Sequence, residues 1–315
     1  MVRMTVLASG SRGNSTVVSS TRTRILVDAG VSCREIFKRM QAAGEDPRTL
    51  DAILITHEHQ DHVQGLAVTA RKLGIPVYFT ESTHRAWIRW ITPRKRMTYA
   101  EWLAERRQQA ENRAAVSESG SDIGERDAFE EEHETPASEQ EKVKTDPAAL
   151  PAVEYFTAGQ GFSVGDIFVT PFTIPHDAAD PVGFVFEAEG VRIGLATDLG
   201  YMPPHAAMRL RKCDVLMLES NHDLDMLRDG PYPWSVKQRV MSRVGHMSNS
   251  AAAEFLEKSY DGYAEYLILA HLSESNNLPE LARVSAERAL RDRMSLLGNR
   301  LLLATQDQPM ASIFM

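Results

Sequence analysis

The run His57-Glu58-His59-Gln60-Asp61-His62 comes just after the apolar segment Ala52-Ile53-Leu54-Ile55. Three imidazoles and a carboxylate within six residues cannot all face one apolar core. The run is therefore expected at the exposed end of a strand, where its nitrogen and oxygen donors suit zinc or manganese.

Apolar, strand-like runs recur along the chain at Met4 to Ala8, Arg24 to Asp28, Ala52 to Ile55 and Pro76 to Phe79. They resume at Ile167 to Phe172, Gly183 to Glu187, Arg192 to Ala196, Val215 to Leu218 and Tyr266 to Ala270, with a last pair at Leu301 to Ala304 and Ser312 to Phe314. Helical periodicity lies between them at Cys33 to Ala43, Gln64 to Leu73, Asn249 to Ser259 and Leu278 to Leu296. Some runs alternate and others are continuously apolar, which predicts an α/β fold of two mixed sheets packed together with helices outside. The hydrophobic fraction of 43% supports a core of that size.

One stretch, about 94–151, breaks the pattern. It is charged, then poor in apolar residues, and reads as a disordered insertion into a single domain spanning 1–315. Between Glu111 and Glu141 eleven acidic residues face Arg113 and Arg126, so this segment accounts for the overall charge of −8. The remainder is close to neutral, and the net charge does not argue against a polyanionic substrate.

The two cysteines, Cys33 and Cys213, form no CxxC pair and read as thiols of a reducing compartment. The N-terminus lacks the pattern of a signal peptide, and no apolar run approaches the roughly 18 residues that span a bilayer. These features predict a cytoplasmic protein without a membrane partner. The sequence leaves open whether it is a homo-oligomer.

The motif HxHxDH after an apolar strand resembles the signature of the metallo-β-lactamase fold hydrolases, whose architecture is a four-layer αββα sandwich. The remaining motifs of that family occur in order: Asp28 after Ile25-Leu26-Val27, His176 in Ile174-Pro175-His176-Asp177, Asp198 in Ala196-Thr197-Asp198, and His271 in Leu269-Ala270-His271-Leu272. The resemblance implies two divalent ions, zinc or manganese. His57, His59 and His176 would hold one, Asp61, His62 and His271 the other, and Asp198 would bridge them. Asp28 would orient the ligands from behind. Two such ions activate a bridging hydroxide and stabilise an in-line displacement, with Asp61 counted among the catalytic residues.

The segments Ser9 to Ser15, His176 to Phe184, Glu219 to Asp223, Gly230 to Pro233 and Gly245 to Asn249 are similar to the bacterial YycJ (WalJ) group. Only about 91–151 is unlike that group. The resemblance implies a nuclease, with 5′ exonuclease action on double-stranded DNA attributed to members. Glu219 and His246 resemble the proton-donating Glu–His pair of ribonuclease Z, and such an acid contributes about 10²–10⁴ in rate. Ser11, Arg12 and Asn14 belong to a glycine-rich loop whose backbone N–H groups could meet a phosphate. With His222 they are the candidate substrate contacts.

Departures from relatives narrow the function. Di-iron members usually carry Glu where this chain has His59, against a redox role. Only 72 residues separate Asp198 from His271, too few for the extra domain of β-CASP nucleases, and 21 separate His176 from Asp198, too few for the tRNA-gripping arm of ribonuclease Z. The leading expectation is a phosphodiesterase acting on nucleic acid, DNA before RNA. The alternatives are a small-molecule metallo-hydrolase (thioester, lactone or cyclic phosphodiester) and a metal-binding regulatory module.

Overall fold

A computed structural model describes residues 1–92, 103–104, 106–107, 146–291 and 300–315. The chain divides into two units, Met1–Trp90 with Ala148–Met315, and Ile91–Pro147. Most of the expected insertion, including its acidic centre, lies outside the described residues, and so does the end of the helix expected to run to Leu296. Of the second unit, residues 103–104 and 106–107 are helical.

The larger unit holds two seven-stranded sheets. The first comprises β1 (Arg3–Ala8), β2 (Ser15–Ser19), β3 (Arg24–Val27), β4 (Ala52–Leu54), β5 (Pro76–Phe79), β6 (Ala152–Tyr155) and β14 (Ile313–Phe314), ordered β14-β1-β2-β3-β4-β5-β6. The second comprises β7 (Phe162–Val164), β8 (Ile167–Thr173), β9 (Val182–Ala188), β10 (Val191–Ala196), β11 (Val215–Glu219), β12 (Tyr266–Ala270) and β13 (Arg300–Leu303), ordered β13-β12-β11-β10-β9-β8-β7. Counted from β14 in the first sheet and from β7 in the second, three antiparallel pairings are followed by three parallel ones.

The described helices are α1 (Cys33–Ala42), α2 (Gln60–Val63), α3 (Leu66–Leu73), α4 (Glu81–Ile91), α5 (Pro204–Arg209), α6 (Leu224–Asp229), α7 (Trp234–Val240), α8 (Asn249–Lys258) and α9 (Pro279–Leu290). None of them is long and apolar enough to cross a membrane.

Alternation along the strands builds two cores. Met4, Val6, Ile25 and Leu54 of the first sheet meet Phe184, Phe186, Ile193, Val215, Met217 and Ile268 of the second in one buried cluster. The opposite face of the second sheet, through Leu216, Leu218, Leu267 and Leu269, packs on Phe255 and Leu256 of α8 and Ala282 and Ala286 of α9. Strands buried on both faces explain why these runs are continuously apolar. Helix α8 starts where Ser248 accepts from the Ala251 N–H at 3.1 Å, and its Ala252, Phe255 and Leu256 fall on one face. On the first sheet α1 packs against β1 with Ile36 and Met40 fully buried.

Strand direction positions the chemistry. Strands β3 and β4 run parallel, as do β10, β11 and β12, and β8 runs the same way as β10 because β9 opposes both. The predicted motifs follow the C-terminal ends of these strands. A backbone knot ties them to the glycine-rich loop: Asn14 N–H donates to Asp61 C=O (2.7 Å), Gly30 N–H to Asn14 C=O (2.9 Å) and Ala29 N–H to His62 C=O (2.8 Å).

The knot needs a glycine at 30, since a Cβ there would lie 1.7 Å from the Asp61 carbonyl oxygen and 2.5 Å from the Asn14 nitrogen, both backbone atoms. Gly30→Ala is therefore expected to lower stability by about 3 kcal/mol or to prevent folding. Gly74→Ala, where only the positive φ opposes a side chain, should cost about 1 kcal/mol. Urea unfolding of both variants checks this, and equal small losses would contradict the role given to Gly30.

Candidate metal centre

Three of the strand-end residues adopt the left-handed conformation that L-residues avoid: Asp28 (φ 58°), Asp198 (φ 62°) and His271 (φ 55°). Asp and His tolerate it better than most, yet such strain concentrates where the fold must aim a side chain. All three side chains are buried.

Asp28 is the anchor. Its Oδ1 accepts from Thr56 N–H (2.9 Å), and its Oδ2 accepts from Thr56 Oγ1–H (2.9 Å) and faces His62 Nδ1 at 2.8 Å. Thr56 Oγ1 in turn lies 3.0 Å from His57 Nδ1. His176 Nδ1 lies 3.1 Å from the Gly245 carbonyl, and His271 Nδ1 lies 2.8 Å from Glu219 Oε1. In each of these four histidines Nδ1 has a protein acceptor, which fixes the tautomer and leaves the Nε2 lone pair for another partner.

The chemistry of those remaining atoms fits a metal. His57 Nε2, His271 Nε2 and Asp198 Oδ2 are buried without a hydrogen-bond partner. His176 Nε2 is 3.2 Å from His59 Nδ1, His62 Nε2 is 3.4 Å from Asp198 Oδ2 and 3.5 Å from Asp61 Oδ2, and His271 Nε2 is 3.6 Å from Asp61 Oδ2. Ligand atoms on one tetrahedral zinc with bonds near 2.0–2.1 Å stand roughly 3.3 Å apart. Two groups, His57-His59-His176 and Asp61-His62-Asp198-His271, each bring their donor atoms within 4.8 Å of one another and can hold metal ions.

Electrostatics within the chain are consistent with a cation site. Burial raises the Asp198 pKa, but His271 and His62 outweigh it and hold the carboxyl well below its usual range. Burial lowers those of His62 and His271, and the surrounding carboxylates, Asp198 foremost, outweigh it and raise both well above the usual value. His57 is pushed well below, by burial first and then by His62. A bound cation would take over the role of the protons that balance these carboxylates.

A third group, Asp198-Glu219-His246-His271, adjoins the second. Glu219 is fully buried. Its Oε1 faces His246 Nδ1 (2.9 Å) and His271 Nδ1 (2.8 Å), and its Oε2 accepts from the Leu199 N–H (2.7 Å) and Met247 N–H (3.2 Å). Burial raises its pKa, but His246 and His271 bring it down to about 2. His246 lines a cavity of about 200 Å³ with Ser11, His59, Asp61, Asp198 and His271, whereas Glu219 is not among its lining residues. A larger surface groove of about 480 Å³, lined by α8 and α9 residues, contains none of these ligands.

Of the expected substrate contacts only Ser11 lines the cavity. Arg12 is engaged elsewhere, its guanidinium bonded to Glu274 (2.7 Å) and Asp307 (2.8 Å). Asn14 is buried, its amide nitrogen 3.1 Å from His62 Nε2 and 3.3 Å from Asp61 Oδ2, so it braces both side chains. His222 is buried in a backbone bridge to Ser248, and burial lowers its pKa to about 4 against the pull of Glu219. The glycine-rich loop does not offer a row of free donors. The N–H groups of Gly10, Arg12, Gly13 and Asn14 bond to Asn14 Oδ1, Gln306 Oε1, Gly10 C=O and Asp61 C=O, and Ser9 Oγ accepts from the His271 N–H. The loop is a brace between motifs. Sequence reasoning gave no role to Thr56, Arg239, Asp177 or Gly245; the last two lay within segments it singled out, and Thr56 carried a signal as a polar residue ending an apolar strand.

The model of the metallo-beta-lactamase superfamily matches residues 8–259. The chain is 32% identical over 292 residues to the exodeoxyribonuclease YycJ of Bacillus anthracis, covering 93% of this chain and 90% of that one. It is also 32% identical over 283 residues to the exodeoxyribonuclease WalJ of Streptococcus pneumoniae serotype 2, covering 90% and 86%. Among solved structures, the metallo-beta-lactamase fold protein YhfI from Bacillus subtilis superposes with a TM-score of 0.58 at 14% identity, over 98% of this chain and 99% of that chain. The matched span, the order of the motifs and the paired seven-stranded sheets agree: this chain belongs to the metallo-beta-lactamase superfamily.

Proposed function

We propose that the protein is a metal-dependent exodeoxyribonuclease working with two divalent ions, zinc or manganese. The observation that carries this reading is one cavity lined by His59 of the first His/Asp group and by Asp61, Asp198 and His271 of the second, with His246 beside them. The 32% identity to exodeoxyribonucleases across most of the chain supports DNA as the substrate.

In this reading His57, His59 and His176 would hold one ion and Asp61, His62 and His271 the other, with Asp198 serving both. Bound ions of this kind lower the pKa of water toward about 7 and stabilise charge on phosphoryl oxygens. The chain's own residues do the rest. Asp28 and Thr56 fix the tautomers of His62 and His57, and Glu219 fixes those of His271 and His246. With Nδ1–H held by Glu219, His246 delivers the proton on its other ring nitrogen to the departing sugar oxygen.

End-labelled linear duplex, single-stranded DNA, RNA and closed circular DNA, incubated with zinc or manganese, test the activity. Linear DNA should be shortened from an end, while circular DNA and RNA stay intact. Asp198→Asn and His59→Ala should abolish cleavage while the fold persists by circular dichroism. Nicking of circular DNA at the linear rate, or full activity in either variant, would contradict the reading.

The separated roles of Glu219 and His246 give a second test. His246→Ala should slow DNA cleavage by about 10²–10⁴ and retain its metal, with far less effect on a nitrophenyl phosphodiester, whose leaving group needs no proton. Glu219→Gln should also lower bound metal, because it loosens His271. Equal effects of His246→Ala on both substrates would remove it as the proton donor.

A further inference from the structure

The cavity lined by His59, Asp61, Asp198 and His271 also carries a cluster of carboxylates. Asp61, Asp177 and Asp198 line it, and Arg239 of α7 is the one Lys or Arg among its lining residues. A DNA strand entering it brings further anions beside the phosphate at the ions, and those need a cation of the protein's own. We infer that Arg239 grips a phosphate of the DNA strand adjacent to the one being cleaved; this rests on the nuclease reading above.

The guanidinium is prepared for that task. Its Nε donates to Asp177 Oδ2, and among the described residues its two terminal nitrogens make no hydrogen bond. A guanidinium tethered through Nε presents its terminal N–H edge, which matches two oxygens of a phosphate. The Arg239 side chain is 62% exposed, so it is open to an incoming anion. Asp177 also places the fork. Its Oδ1 lies 3.6 Å from His176 Nε2, so a whole carboxylate stands between the ligand cluster and the guanidinium. The fork therefore meets a neighbouring phosphate and not the one on the metals.

The segment that carries Arg239 is braced to the same centre. The buried Lys237 ammonium donates to the Arg228 carbonyl at 2.7 Å, and the Val240 carbonyl at the end of α7 accepts from the His246 N–H at 2.9 Å. A Cβ on Gly245 would lie 2.3 Å from the Arg239 carbonyl and 2.2 Å from that of Val240, so only glycine lets the turn close here. The Gly245 carbonyl is the partner of His176 Nδ1. Arg239, His246 and His176 are thus held by one short stretch of backbone. An exposed Arg–Asp pair by itself adds little to stability, which makes a purely structural role distinguishable.

The test compares the full-length, metal-loaded protein with Arg239→Gln and Arg239→Lys. For linear duplex, kcat/KM is measured between 50 and 200 mM salt; a nitrophenyl phosphodiester, which has no neighbouring phosphate, is measured in parallel with metal content. Arg239→Gln should lower kcat/KM on DNA about tenfold more than on the diester, chiefly through KM. It should also reduce the slope of log kcat/KM against log salt by about 0.9, the value for one lost phosphate contact. Arg239→Lys should restore the slope and part of the rate. A wild-type protein that degrades DNA, with slope and KM unchanged in Arg239→Gln, overturns this inference alone. Equal losses on both substrates with loss of metal also overturn it, in favour of a structural role. A wild-type protein that turns over the diester but never DNA overturns the nuclease reading and this inference with it.

Discussion

Four imidazoles (His57, His62, His176, His271) and three carboxylates (Asp28, Asp198, Glu219) lie buried at adjoining strand ends, each at most 6% exposed. Removing so many ionisable groups from water is tolerable only where their charges and hydrogen bonds compensate one another. That requirement organises the site. Asp28 and Glu219 each face Nδ1 of a histidine from outside the ring of imidazoles, while Asp198 sits inside it with one oxygen unpartnered. Nε2 of His176, His62 and His271 each faces a neighbouring donor atom at 3.2–3.6 Å, a spacing that a shared cation also satisfies.

Such a ring can be assembled because of strand direction. Within each sheet the strands that precede the ligands point the same way, and their C-terminal ends form one edge. Left-handed turns at Asp28, Asp198 and His271 then redirect the chain within a single residue, and the loop from Ser9 to Ser15 ties the ends together through backbone bonds. Apolar packing between the sheets thus bears the cost of a strained, polar edge, a division of labour expected of functional sites.

Much of this was legible in the sequence. Continuous apolar runs marked the buried strands, and β11 and β12 fall where Val215 to Leu218 and Tyr266 to Ala270 predict them. The residues of the two His/Asp groups stood out because imidazoles and carboxylates clustered after apolar strands have few structural uses. Strands β2 and β7 were not legible: Ser15-Thr16-Val17-Val18-Ser19 is mostly hydroxylated, and Phe162 to Val164 is only three residues long. Arg12 shows what a sequence cannot reveal. Its charge was visible, but its partners Glu274 and Asp307 lie more than 260 positions away. Arg239 went unnoticed, and Gly245 was given no role of its own, for the same reason, since their contacts arise only when α7 folds back on the His176 loop.

The central claim is that two ions share this ring with Asp198 between them. Anomalous diffraction from crystals loaded with zinc or manganese, recorded at the edge of the metal used, tests it directly. Two peaks roughly 3.5–4 Å apart are expected, one inside His57, His59 and His176, the other inside Asp61, His62 and His271, with Asp198 reaching both. A single peak, or an ion held instead by Glu219 and His246, would contradict the account.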